Sequence, residues 1–243
     1  MNQVTIMGVP FIHTDQKSFI SLLDNRIQLH EKTFVVTANP EVVMMANEDM
    51  AFMDLIHQAT YITADGIGIV KAAQLLNKPL PGRVTGYDTM IGLLGKANEK
   101  QYKIFLLGAK KETLQMAENR IANDYPGIKI VGSHDGYFDW HNNDIAERIA
   151  DVKPDITFVA LGVPRQEKWI SENLSGFDRG LFIGVGGSLD AIAGTVPRAP
   201  VIWQKLNLEW LYRIAKQPSR WKRAMALPRF AIQIIKRKVK GSS

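Results

Sequence analysis

Residues 156–173 read ITFVALGVPRQEKWISEN. The six residues Ile156–Leu161 are apolar apart from one threonine and rich in β-branched and aliphatic side chains, the mark of a strand buried on both faces. Gly162-Val163-Pro164 interrupts the run, and Arg165–Asn173 continues with an amphipathic helical pattern. One strand, one Gly/Pro turn and one helix make the repeating unit of a parallel α/β sheet. The unit recurs outward in both directions. Val4–Phe11, Phe34–Thr37, Tyr61–Thr63, Lys103–Leu107, Ile128–Gly132 and Leu181–Val185 are further short apolar runs, and Thr113–Tyr125 and Asp144–Val152 are further amphipathic stretches. The expected fold class is α/β: a doubly wound, mainly parallel, Rossmann-like sheet over residues 1–196, followed by a helical basic appendage over residues 197–243.

Composition narrows the function classes. With 46% hydrophobic and 22% charged residues in 243, the chain can bury a sizeable core, and neither disorder nor a fibrous repeat is indicated. The absence of cysteine excludes disulfides, thiolate metal sites and a cysteine nucleophile. The N-terminus lacks the pattern of a signal peptide, and no stretch approaches the ~18 consecutive apolar residues of a membrane span. A cytoplasmic protein is expected. Charge is uneven: residues 197–243 hold 12 of the 30 Lys and Arg but one of the 24 Asp and Glu, so the tail carries +11 and the rest −5. Such a tail is built to meet something anionic.

Open parallel sheets bind ligands at the carboxyl ends of their strands. Gly-rich or polar turns follow almost every predicted strand, so one edge of the sheet is expected to form a site. Gly184–Ser188 leaves an apolar strand and opens a helix, which fits either an anion held by backbone N–H groups or tight strand-to-helix packing. Asp65, between Ala64 and Gly66, is either the N-cap of a helix starting near Gly68 or a general base at the ligand edge. Asn39, before Pro40, either caps a helix or binds a sugar hydroxyl. Arg83, on a loop punctuated by proline and glycine, suits phosphate clamping or simple solvation. Gln166 falls in the first turn of its helix and points back towards the sheet edge. The chain contains neither GxGxxG nor GxxxxGK[ST], no G-x-S-x-G, no Asp-x-Asp and no helical His pair, so the motifs call for no metal and no cofactor.

The tail has two helical stretches. Trp203, Leu206, Trp210, Leu211 and Ile214 share one face over Trp203–Lys216, and Leu227, Phe230, Ala231, Ile234 and Ile235 share one over Leu227–Lys240. Arg229, Lys236, Arg237 and Lys240 populate the opposite face of the second stretch. This pattern predicts an interfacial helix on an anionic membrane surface; a helix docked on the domain with a solvated basic rim is the alternative. Nucleic acid is not expected as a partner, because the aromatics lie on the apolar stripe rather than among the cations.

An ordered set of segments resembles the WecG/TagA/CpsF glycosyltransferases, and within them the TagA branch. These are Val36–Glu41, Ala64–Gly68, Phe105–Ala109, Leu161–Trp169, Gly184–Ser188, and Arg198-Ala199-Pro200 leading to Leu208–Arg213. The resemblance implies an inverting transfer of N-acetylmannosamine from UDP-ManNAc to the 4-hydroxyl of GlcNAc on undecaprenyl diphosphate, an early step of wall teichoic acid synthesis. It implies Asp65 as catalytic base, and Thr37, Asn39, Arg83 and Gln166 as the pocket for the acceptor and the donor sugar. Tyr137, Gly186, Gly187, Ser188 and Asp190 are implied on the uridine diphosphate side, with the tail arginines Arg213, Arg220 and Arg223 completing the site. The protein would then be peripheral on the inner face of the cell membrane. Another UDP-sugar donor (UDP-ManNAcA, UDP-glucose or UDP-galactose), a non-catalytic module binding nucleotide or lipid phosphate, and a homo-oligomer are all compatible with the same residues.

Overall fold

The computed structural model describes residues 2–197, 199–200, 202–203, 211–212, 221 and 225–241. Among these residues a six-stranded, wholly parallel sheet forms the centre, in the order β4-β3-β8-β7-β5-β6. The strands are β3 (Thr33–Ala38), β4 (Tyr61–Ala64), β5 (Lys103–Gly108), β6 (Lys129–His134), β7 (Ile156–Ala160) and β8 (Leu181–Gly184). Every residue of β3, β7 and β8 is buried. That explains why their sequences run apolar without alternation: both faces of the sheet are covered.

Alternation along the strands divides the core in two. Phe34, Val36, Phe105, Val159 and Phe182 face one layer, formed by α2 (Pro40–Glu48), α3 (Met50–His57), α4 (Ile67–Leu75), α7 (Ile145–Val152) and α8 (Arg165–Asn173). Val35, Ile104, Leu106, Phe158 and Ile183 face the other, formed by α1 (Gln16–Gln28), α5 (Gly86–Lys100), α6 (Lys111–Asp124) and α9 (Ser188–Ala193). The predicted helix Arg165–Asn173 matches α8 residue for residue, and the doubly wound fold stands as expected.

One predicted strand is different. Val4–Phe11 does not enter the parallel sheet but folds into an antiparallel hairpin, β1 (Gln3–Ile6) and β2 (Val9–Ile12), packed beside β4. The apolar run concealed its turn because the two central residues are Met7 and Gly8 rather than Asn-Gly. Both take positive φ, 49° and 84°, and Gly8 provides the freedom this turn needs.

The C-terminal helix α10 (Ala226–Gly241) also departs from expectation. Phe230 and Ile234 are 3% and 2% exposed, packed against α2 and α4, so these two do not belong to a membrane-facing stripe. The docked alternative applies to that half of the face, and Arg229 pairs with Glu48 beside it. Of the first tail stretch, Trp203, Leu211 and Tyr212 are described; Arg198, Arg213, Arg220 and Arg223 lie outside the described residues. No described helix is long and apolar enough to cross a membrane.

If α10 is part of the core, Ile234→Ala should lower unfolding free energy by roughly 2–4 kcal/mol. Urea denaturation followed by circular dichroism measures this, and an unchanged midpoint would mean that α10 is not docked in solution.

Candidate active site

The helices that follow neighbouring strands locate the crevice. β8 is followed by α9 on one face of the sheet, whereas β3 and β7 on either side of it are followed by α2 and α8 on the other. Chains leaving adjacent strands in opposite directions open a gap at the carboxyl edge, the position where doubly wound folds bind ligands. Gly184 ends β8 there. A Cβ on Gly184 would stand 2.5 Å from Nε2 of Gln166, so only glycine leaves room for that side chain to cross the strand end. Gln166 is 2% exposed, and its Oε1 accepts the Gly186 N–H at 3.0 Å.

This alters the expected role of the glycine-rich turn. Val185 N–H donates to the Val159 carbonyl at 2.9 Å, and Ser188 N–H to the Val185 carbonyl at 3.1 Å. Ser188 Oγ donates to that same carbonyl at 2.6 Å and is turned into the protein. Together with Gly186, three amides of the turn are committed internally, and only Gly187 N–H makes no hydrogen bond among the described residues. The turn is a stiff wall more than an amide cradle. Among the described residues, open space nevertheless stands before Gly186, where nothing lies within 4 Å of the position a Cβ would take.

Asp65 and Thr37 close the other side. Thr37 is buried, and its Oγ1 donates to the Gly184 carbonyl at 3.1 Å, tying the end of β3 to the end of β8. Asp65 follows β4. It does not cap α4, whose N-cap is Gly66 with no side-chain hydrogen bond. Its Oδ2 instead accepts the Gly86 N–H at 3.2 Å, the first residue of α5. A Cβ on Gly86 would sit 3.1 Å from Thr37 Oγ1, so Asp65, Gly86, Thr37, Gly184, Gln166 and Gly186 form one contiguous rim. Asp65 is half-buried and oriented by a backbone donor. Asn39 caps α2 through Oδ1, accepting Val42 N–H at 3.0 Å, and its Nδ2 makes no hydrogen bond among the described residues. The cap reading is correct for the oxygen and leaves the amide donor for a ligand. Arg83 is half-buried on the loop that carries Val84 N–H to the Ala64 carbonyl, next to Asp65.

Of the expected residues Tyr137 lies farther off, whereas Asp190 Oδ2 is 3.6 Å from the position a Cβ on Gly187 would take. Tyr137 follows β6, the strand at the opposite edge from β4, and is 72% exposed with its N–H held by Asp135 Oδ1. Five strand spacings of about 4.8 Å separate the two edges. Asp190 sits in the first turn of α9.

Reading the sequence missed Glu167 as a residue of interest. It is wholly buried beside Gln166, accepts that amide's Nε2–H at 2.8 Å through Oε1, and has no partner at Oε2. Burial pushes its carboxyl up to about 7, the Gln166 hydrogen bond opposes this, and the negative charge of Glu41 on α2 adds to the rise. Only its place in an RQEKW helix start could have drawn notice, and surface glutamates share that context.

Residues 4–243 match the glycosyl transferase WecG/TagA/CpsF family. Over 237 residues the chain is 40% identical to the N-acetylglucosaminyldiphosphoundecaprenol N-acetyl-beta-D-mannosaminyltransferase of Bacillus subtilis (strain 168), covering 97% of this chain and 92% of the relative. The enzyme of the same name from Staphylococcus aureus (strain MW2) is 39% identical over 240 residues, 98% of this chain and 94% of the relative.

Glu167 makes a pH prediction. Its folded pKa lies above the ordinary carboxyl value of 4.5, so its contribution to stability is full below that value and is lost as pH rises through about 7. Glu167→Gln should remove this loss. Thermal unfolding of both proteins between pH 5 and 8 tests it, and parallel curves would refute it.

Proposed function

The chain belongs to the WecG/TagA/CpsF glycosyltransferase family, and on that footing we propose that it transfers N-acetylmannosamine from UDP-ManNAc to the 4-hydroxyl of GlcNAc-diphospho-undecaprenol with inversion. Relatives bearing that activity in their names align over nearly the whole chain. The observation that carries the mechanism is Asp65, a carboxylate fixed by the Gly86 amide at the mouth of the β8 crevice.

In this mechanism Asp65 accepts the proton of the attacking hydroxyl while the bond from the sugar's anomeric carbon to UDP breaks. The developing charge on UDP needs cations, because the turn amides are largely spent on internal bonds. Arg83 and the tail arginines Arg213, Arg220 and Arg223 are assigned that part, with Thr37, Asn39 and Gln166 shaping the sugar pocket. Tyr137, Gly186, Gly187, Ser188 and Asp190 are assigned to the uridine diphosphate side. No divalent cation is invoked, consistent with the lack of an Asp-x-Asp motif, and activity should survive EDTA.

Membrane association is assigned to the outward side of α10. Ile232, Ile235 and Val239 are 53%, 55% and 65% exposed and recur at i, i+3 and i+7, opposite the docked Phe230 and Ile234. Arg229 and Lys236 flank them. An apolar stripe beside cations suits the headgroup region of an anionic bilayer.

Asp65→Ala should fold normally and bind UDP, yet lose ~10²–10⁴-fold in turnover. Transfer of labelled sugar to a soluble GlcNAc-diphospholipid measures it, and near-normal turnover would exclude Asp65 as the base. On the same acceptor, replacing Arg213, Arg220 and Arg223 together with alanine, which keeps the docked α10, should abolish transfer if the tail completes the site. Full activity would reduce the tail to an anchor.

A further inference from the structure

We propose that Glu167 is a positioning residue for the transfer reaction: its buried carboxyl fixes which way round the Gln166 amide sits and so holds the Gly186 turn against the crevice. The inference rests on the reading that this turn borders the nucleotide-sugar site.

The geometry leaves Gln166 two orientations of nearly equal shape. The Gly186 N–H can only donate, so the wall is held when Oε1 faces it and lost when Nε2 does. With Oε1 towards Gly186 at 3.0 Å, Nε2 is left inside the core and requires an acceptor. Glu167 Oε1 supplies it at 2.8 Å. Reversing the amide would set two donors against each other at Gly186 and, with the carboxyl ionised, two acceptors against each other at Glu167. Leaving an amide donor buried and unsatisfied costs enough to select one orientation.

Nothing else in the surroundings accounts for a carboxyl at this place. Its Oε2 is buried without a partner, and among the described residues Gln166 is its one side-chain partner. Glu41, on the neighbouring α2, is the charged group acting on it, and it disfavours ionisation. For stability alone, an apolar side chain of the same size would serve as well or better. What the carboxyl adds is direction. It acts through Gln166 on Gly186, one strand end away, and on the open space before Gly186.

The coupling is testable without substrate. In the full chain labelled with ¹⁵N, the Gly186 amide resonance should titrate with a midpoint near 7, matching Glu167. In Glu167→Gln, whose side-chain oxygen still accepts from Gln166, the resonance should stay in place but cease to titrate. A Gly186 amide that does not titrate in the wild-type chain overturns the proposal. Glu167→Met keeps the volume and removes the acceptor. It should speed deuterium exchange at Gly186 and raise the donor KM about tenfold, the worth of one hydrogen bond, with kcat little changed. Glu167→Gln should restore the wild-type KM. Wild-type exchange and KM in Glu167→Met would reduce Glu167 to packing. A wild-type chain inert towards every UDP-sugar would instead sink the transferase reading, while the resonance titration would still decide the contact.

Discussion

β8 sits in the interior of a sheet covered on both faces, and its end has to turn while β3 and β7 send their helices to the opposite side. Polar groups buried at such a strand end must find partners nearby. The solution here is a set of cross-links: Thr37 to the Gly184 carbonyl, Gln166 to the Gly186 amide, and the Val185 amide to the Val159 carbonyl. Gly184, lacking a Cβ, makes the second of these sterically possible. The crevice is a by-product of topology, and its rigidity comes from these bonds.

That economy has an electrostatic consequence. Amides used to satisfy one another would contribute less to the diphosphate of the proposed donor, which would then rely on side-chain cations. Arg83 stands on the loop beside Asp65, and most of the basic excess lies after Pro197. The tail starts one short helix after β8, and α10 returns to pack on α2 and α4, where Leu227 comes within 3.9 Å of the Cβ position of Gly68. Leu227, at the start of α10, thus lies against the first turn of α4, which follows Asp65 in the chain.

α10 shows how a helical wheel can be right about residues and wrong about direction. Leu227, Phe230, Ala231, Ile234 and Ile235 do span one arc, but a domain wall cuts through it. Phe230 and Ile234 fall inside and Ile235 outside, where it joins Ile232 and Val239 in a second stripe. Periodicity identifies an apolar arc; it cannot say which part of that arc another helix will cover.

Much of the fold was legible locally. Strands buried on both faces are apolar throughout, Gly and Pro break them, and 3.6-residue periodicity marks the helices, so the α8 boundaries followed from Ile156–Asn173 and the parallel α/β class from the recurrence of that unit along the chain. The polar turns likewise placed Thr37, Asn39, Asp65 and Gln166 at one edge. Three things required the tertiary structure. The Met7-Gly8 turn hid inside an apolar run because its chemistry is unusual for a hairpin. Asp65 had a local explanation as an N-cap, and only the arrival of Gly86, 21 residues later, gave its carboxylate a different partner. Glu167 looked like any helix-surface acid until α8 was laid against the sheet and its carboxyl enclosed. Local sequence determines which elements form, because propensity and patterning act over a few residues. Which polar atoms are buried, and what they must bond to, depends on how distant segments pack, and that was decided only when the chain was folded.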